Sequence, residues 1–149
     1  MQRLEGPGVA FVPLLLRIPL AAVFLFAGWP KLTNLAGAAA LFGNFGLPGW
    51  LGQFAAVLEV VGGLLLLLGL GTRVMGLLFL MEMVVATALV NWGQAWAGGT
   101  FDYTAVRMQI TAMFACLALV LTGGGAASLD ALWLRRRSQG AADGAVIRR

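Results

Sequence analysis

Four long apolar stretches make up most of this chain, and each carries one strongly ionisable residue: Arg17, Glu59, Glu82 and Arg107. A charge at bilayer depth costs roughly 2.5–3.5 kcal/mol on insertion scales, so such residues usually face a bundle interior and are paired. Two acids and two bases sum to zero. The pattern calls for a set of membrane helices that buries a polar cluster between them.

Composition supports the same class. With 60% hydrophobic and 11% charged residues over 149 positions, the chain has too few charges to cover a soluble domain. Most of the net charge of +4 comes from Arg135, Arg136, Arg137, Arg148 and Arg149. Without interleaved aromatics or a basic groove, these arginines suit anionic lipid headgroups and exclude a nucleic-acid partner. Histidine is absent and Cys116 is the single cysteine. A histidine-ligated metal, a haem, a CxxC pair and a Ser-His-Asp triad are therefore excluded, and no metal site is expected. Cys116 lies in an apolar run and reads as packing. Any redox chemistry must use a bound cofactor or a partner.

Four spans of about twenty residues, each close to what about 30 Å of hydrocarbon requires, are expected at 9–29, 51–70, 73–92 and 103–122. Pro19 should kink the first, and Trp29-Pro30-Lys31 should end it. Between the first two spans, 35–45 has apolar and small residues at helical spacing, which predicts a short interfacial helix in the first outer loop. Gly46-Leu47-Pro48-Gly49 then turns the chain. Gly69 to Arg73 makes a tight connection, and Gly123-Gly124-Gly125 stops the last span. Ser128-Leu129-Asp130 resembles a helix start, predicting a short amphipathic helix over 129–137. The expected fold is an all-α integral membrane four-helix bundle. Residues 1–134 form a single transmembrane domain and 135–149 a basic, disordered cytoplasmic tail. The distribution of basic residues places both termini in the cytoplasm of a multi-pass protein. Trp29, Trp50, Trp92 and Trp96 then gather at the outer interface.

At 1.5 Å per residue, Arg17, Glu59 and Glu82 fall within roughly 3 Å of the midplane, and Arg107 about 8 Å nearer the outside. All four are expected to meet at one level. The second span gives the clearest face: Gly52, Ala55, Ala56, Gly62, Gly63, Leu66 and Gly69 share a side with Glu59, opposite Phe54, Val57, Leu58, Val61, Leu64, Leu65 and Leu68. Small residues admit close helix approach and large aliphatics suit lipid, so Glu59 should point inward. Arg17 shares a face with Ala10, Ala21, Phe24 and Gly28; Arg107 shares one with Tyr103, Thr104, Thr111 and Phe114; Glu82 has the bulkier neighbours Leu78, Phe79, Val85 and Ala86, which do not fix its direction. Such a cluster either staples the helices or lines a cavity for a small polar ligand.

The stretches LLLRIPLAAVFLFAGWPKL (14–32) and LEVVGGLLLLLGLGTR (58–73) resemble the DoxX family of membrane proteins. The Gly46-Leu47-Pro48 turn and the Ser128-Leu129-Asp130 segment, in this order and spacing, also fit. The resemblance covers roughly residues 14–130. It implies a four-helix bundle of the inner or plasma membrane. It also implies association with quinone-linked redox systems, including thiosulfate:quinone oxidoreductase and complexes with an oxidative-stress enzyme. Arg17, Lys31, Glu59 and Arg73 match the family pattern, whereas Glu82 and Arg107 follow from depth alone.

Three functions are compatible with these residues. The first is a quinone-interacting subunit of a membrane oxidoreductase, with Glu59, Arg17, Glu82 and Arg107 as catalytic candidates. A bound quinone would be its cofactor, with Trp29, Phe24, Tyr103 and Lys31 around the ring, and membrane lipids and a redox protein its partners. The second is a non-catalytic membrane anchor or assembly subunit. The third is a proton-coupled carrier, which at this size would require a homo-oligomer.

Overall fold

The structure, a computed structural model, describes residues 9–133. Among them every regular element is helical and no strand occurs. After a 3-10 turn at Val9–Phe11, helix α1 runs Val12–Thr33 and α2 Leu35–Gly43. Helix α3 covers Gly49–Leu68 and α4 Thr72–Trp96; each contains one π turn, Leu58–Gly62 and Thr87–Asn91 respectively. A 3-10 turn at Tyr103–Ala105 leads into α5, Arg107–Thr122. Helices α1, α3 and α4 are long and apolar enough to cross a membrane, and α5 is a shorter apolar helix of 16 residues. Residues 129–133 are also helical. The rest of the amphipathic helix expected to residue 137, and the basic tail, lie outside the described residues.

The first helix does not end at Pro30. A proline inside a helix forfeits one backbone hydrogen bond, but the helix continues to Thr33, whose hydroxyl bonds back to the Trp29 and Pro30 carbonyls. Asn34 then serves both neighbours. Its N–H donates to the Pro30 and Lys31 carbonyls, and its side chain accepts from the Gly37 N–H at 2.9 Å to start α2. This expected interfacial helix packs on the start of α3, where a Cβ at Gly52 would strike the Ala38 carbonyl.

One core joins α1, α3, α4 and α5: Leu20, Ala21 and Phe24, Leu66, Phe79, and Ala112, Cys116 and Leu119. Phe24 and Phe79 stack with centroids 3.7 Å apart and planes 9° from parallel. Close helix approach depends on small residues. Gly28 lies against Glu59 and Val60, and Gly76 against the Cys116 carbonyl and Val120. The face of α3 expected to turn inward is buried throughout, from Gly52 to Gly69, while Phe54, Val57, Val61, Leu64 and Leu68 are exposed, as lipid-facing side chains would be; Leu58 and Leu65, expected on that outer face, are half-buried because they lie at its edges, Leu58 against the cavity described below.

The α3–α4 connection and the segment after α5 form a polar knot at one end. Gly69 adopts φ +74° and closes α3 with bonds from Gly69 N–H to the Leu66 carbonyl and Leu70 N–H to the Leu65 carbonyl. Asp130 accepts from the Gly71 N–H at 3.1 Å and the Thr72 N–H at 3.4 Å, placing a carboxylate at the start of α4. Arg17 is fully buried here, and its guanidinium donates to the Ala127 carbonyl at 2.8 Å.

Replacing Gly71 by alanine pays only for its φ of +58°, because its added Cβ meets open space; about 1–2 kcal/mol is expected. Gly69→Ala should cost at least twice as much, since its Cβ would also collide with the Arg17 guanidinium. Thermal unfolding in detergent compares the two, and equal losses would mean that Arg17 moves aside freely.

Candidate functional site

The candidate site grows out of the approach of α1 to α3. Gly28 removes the side chain that would hold the helices apart, because a Cβ there would meet the Glu59 Cβ. One turn on, Lys31 reaches across, and its Nζ donates to Glu59 Oε1 at 2.5 Å. Glu59 sits in the π turn of α3, a distortion common where a side chain must be re-aimed. From α4, the Glu82 carboxyl faces that of Glu59 and feels the charge of Lys31.

These three residues stand on the wall of a cavity of about 800 Å³. The remaining wall is overwhelmingly apolar, with Phe24, Leu58, Met83 and Ala112 among its inner residues. Phe54, Met81, Leu89 and Met108 also line it and are exposed on the outer surface, so the cavity opens toward where lipid would lie. Two amides complete the polar set. Asn91, in the second π turn, donates to the Ala105 carbonyl at 2.9 Å, and Gln109 comes from α5. Glu59 Oε2, Glu82 Oε2 and Gln109 Oε1 are buried and accept no hydrogen bond.

The expected meeting of four charges is corrected in two places. Arg17 belongs to the polar knot. Because α1 runs Val12–Thr33 rather than ending at Trp29, Arg17 lies about 8 Å from the helix midpoint. The same shift carries Lys31 inward to Glu59. Arg107 is exposed together with Tyr103, Thr104, Thr111 and Phe114, so that face of α5 turns outward. The inward polar residue is Gln109, in line with Ala112, Cys116 and Leu119. The sequence carries that spacing, but an uncharged amide is a weaker signal there than the guanidinium of Arg107. Of the aromatic candidates, Phe24 lines the cavity, while Trp29 and Tyr103 are exposed and outside its wall. No group of three or more metal-ligating side chains occurs among the described residues.

Arg107 contributes instead to the outer loop. Asp102 accepts from both the Thr104 N–H at 2.8 Å and the Thr104 hydroxyl. These bonds hold its carboxyl below the usual carboxylate range, and Arg107 adds to the effect.

The profile of the DoxX family matches residues 12–92, a region that contains Lys31, Glu59 and Glu82. The chain is 33% identical over 132 residues to "Inner membrane protein YqjF" of Escherichia coli (strain K12), covering 89% of this chain and 96% of that protein. It is 30% identical over 128 residues to "Putative oxidoreductase CatD" of Bacillus subtilis (strain 168), covering 85% and 90%. It is also 30% identical over 124 residues to "Inner membrane protein YphA" of E. coli (strain K12), covering 78% and 86%. No solved structure matches the chain.

Lys31→Met strands a buried carboxylate and should destabilise the protein by about 3 kcal/mol, at the low end for a broken buried pair because the Lys31 side chain is 27% exposed. The double variant Lys31→Met/Glu59→Gln should recover at least half of that loss in denaturant titrations; additive losses would deny the coupling. For the outer loop, a depressed carboxylate stabilises the fold above its unfolded value and loses that effect as pH falls through the folded value. Hydrogen-exchange protection at the Thr104 amide should therefore drop on acidification below about pH 4, and in Asp102→Asn it should be low throughout.

Proposed function

The chain belongs to the DoxX family of membrane proteins, and from that premise we propose that it is a quinone-interacting subunit of a membrane oxidoreductase. The observation that carries this reading is an apolar cavity, open toward lipid, whose polar lining residues are Lys31, Glu59, Glu82, Asn91 and Gln109. A lipid-soluble ring with oxygen substituents fits that division. Phe24, stacked on Phe79, offers a flat aromatic surface. A relative named as an oxidoreductase adds support.

A quinone, when bound, supplies the two-electron acceptor. The chain's own residues bind, orient and handle protons. Lys31 and Glu59 form a neutral pair that can enter the apolar region at tolerable cost. One proton held between the Glu59 and Glu82 carboxyls leaves the trio uncharged, because two carboxylates facing one ammonium would carry a net negative charge. On reduction that proton would be available to a ring oxygen bound beside the carboxyls, as general acid–base transfer requires. The apolar wall keeps water from competing.

In this reading α5 is the fourth crossing of a four-helix bundle in the inner membrane, 1–134 is one domain, and both termini face the cytoplasm. A redox protein supplies or removes the electrons, since the described residues offer no metal cluster or disulfide pair. Arg17 supports a second function alongside the first. Buried and bonded to Ala127, it fixes the segment after α5 and so suits anchoring or assembly rather than chemistry.

Native mass spectrometry of protein gently extracted from its own membrane should find a quinone-sized mass that Glu59→Gln loses. A wild type that retains a partner protein but no such ligand would overturn the quinone reading and leave the anchoring one.

A further inference from the structure

Hydrogen bonding on the cavity wall is unbalanced. Three oxygens of lining residues, Glu59 Oε2, Glu82 Oε2 and Gln109 Oε1, are buried and receive no hydrogen from the chain. Lys31, the one cation on the cavity wall, commits a hydrogen to Glu59 Oε1, and its side chain is partly exposed. The Asn91 amide nitrogen gives one of its two hydrogens to the Ala105 carbonyl. A proton held between the two carboxyls serves Glu59 and Glu82 and still leaves Gln109 Oε1 without a partner.

Buried acceptors without donors are costly, so a ligand is favoured there in proportion to the O–H or N–H groups it brings. A quinone brings none, because both of its oxygens are acceptors. Its two-electron, two-proton reduced form has the same ring and bulk and carries two hydroxyl donors. Discrimination between molecules that differ in this way is large when the site's own polar groups are left unpaired by the wrong one.

We infer that the cavity selects the hydroxylated, reduced form of its ring ligand, a quinol, over the quinone, with Gln109 and Glu82 as the residues that set the preference. The inference rests on the quinone reading above and adds the redox form. A site that binds the product of reduction better than its precursor also makes the bound quinone a stronger oxidant. By linkage, a tenfold preference raises the midpoint potential of the bound two-electron couple by about 30 mV. Such a subunit is built to draw electrons from its partner rather than to give them up.

The test is equilibrium binding to the full chain in lipid nanodiscs, with decylubiquinone and decylubiquinol titrated separately under anaerobic conditions. The quinol should bind at least about tenfold tighter, the penalty of one unpaired buried acceptor. Gln109→Leu removes an acceptor, and Glu82→Gln replaces one with an amide donor; each should narrow the ratio to about threefold or less by weakening quinol binding or strengthening quinone binding. If Gln109→Leu does not fold, Glu82→Gln decides alone. Equal binding, tighter quinone binding, or a preference unchanged in the folded variants overturns the inference while leaving the quinone reading in place. Binding of neither form overturns both.

Discussion

A charge inside hydrocarbon must find its counter-charge, and the structure turns on how Lys31 and Glu59 meet that condition. The pair forms only if α1 runs through Pro30, if α1 and α3 touch at Gly28, and if the π turn at Leu58–Gly62 aims Glu59 across the gap. Each of these is a local departure from the most regular helix, and each is compensated by the others. Thr33 and Asn34 satisfy the carbonyls near Pro30, and the missing side chain of Gly28 becomes the space that the Glu59 stem uses. Glu82 adds a second carboxyl to a site that is already neutral. This second carboxyl is more than pairing with Lys31 requires, and the proposed quinone chemistry draws on it.

Arg17, fourteen residues before Lys31 on the same helix, meets the same condition differently. Its partner is a backbone carbonyl, Ala127, with Asp130 nearby as counter-charge. Asp130 also caps α4 through the Gly71 and Thr72 N–H groups, and Ser128 donates to the Gly125 carbonyl while accepting from Ala131. One basic residue of α1 therefore closes the end of the fold, while the other builds the cavity. This separation leaves the cavity free to carry unpaired acceptors, because the knot does not depend on them.

The sequence discloses α3 well and α5 poorly, for physical reasons. Glycine and alanine spaced from Gly52 to Gly69 can only mean close approach on one side, and that face is buried throughout. Pro30 reads locally as the end of α1, but tertiary contacts at Gly28 and Lys31, which no local pattern reveals, outweigh that helix breaker. In α5 the local pattern does not give the phase. The helix begins at Arg107 after a 3-10 turn, so Tyr103 and Arg107 do not lie on an inward stripe, and Gln109 does. An uncharged amide gives a weak sequence signal, yet Gln109 lines the cavity and the guanidinium two residues earlier does not. Depth puts Glu82 level with Glu59, but its bulky neighbours give no direction; only the fold places it opposite Glu59.

The distribution of polar atoms also separates a ligand site from a transport path. A carrier needs polar groups that a solute or proton can reach in turn from both sides. Here the polar groups of the cavity are few, and the remaining wall is apolar and continuous with exposed side chains such as Phe54 and Met81. Toward the opposite end of α1, Phe24 and Phe79 stack across the core, and beyond them Arg17 is enclosed by Gly69, Ala127 and Ser128. A molecule entering such a cavity would come sideways from the lipid, turn its oxygens to the charged groups, and leave the way it came. That geometry favours an apolar, oxygen-bearing molecule already dissolved in the bilayer over one that must cross it.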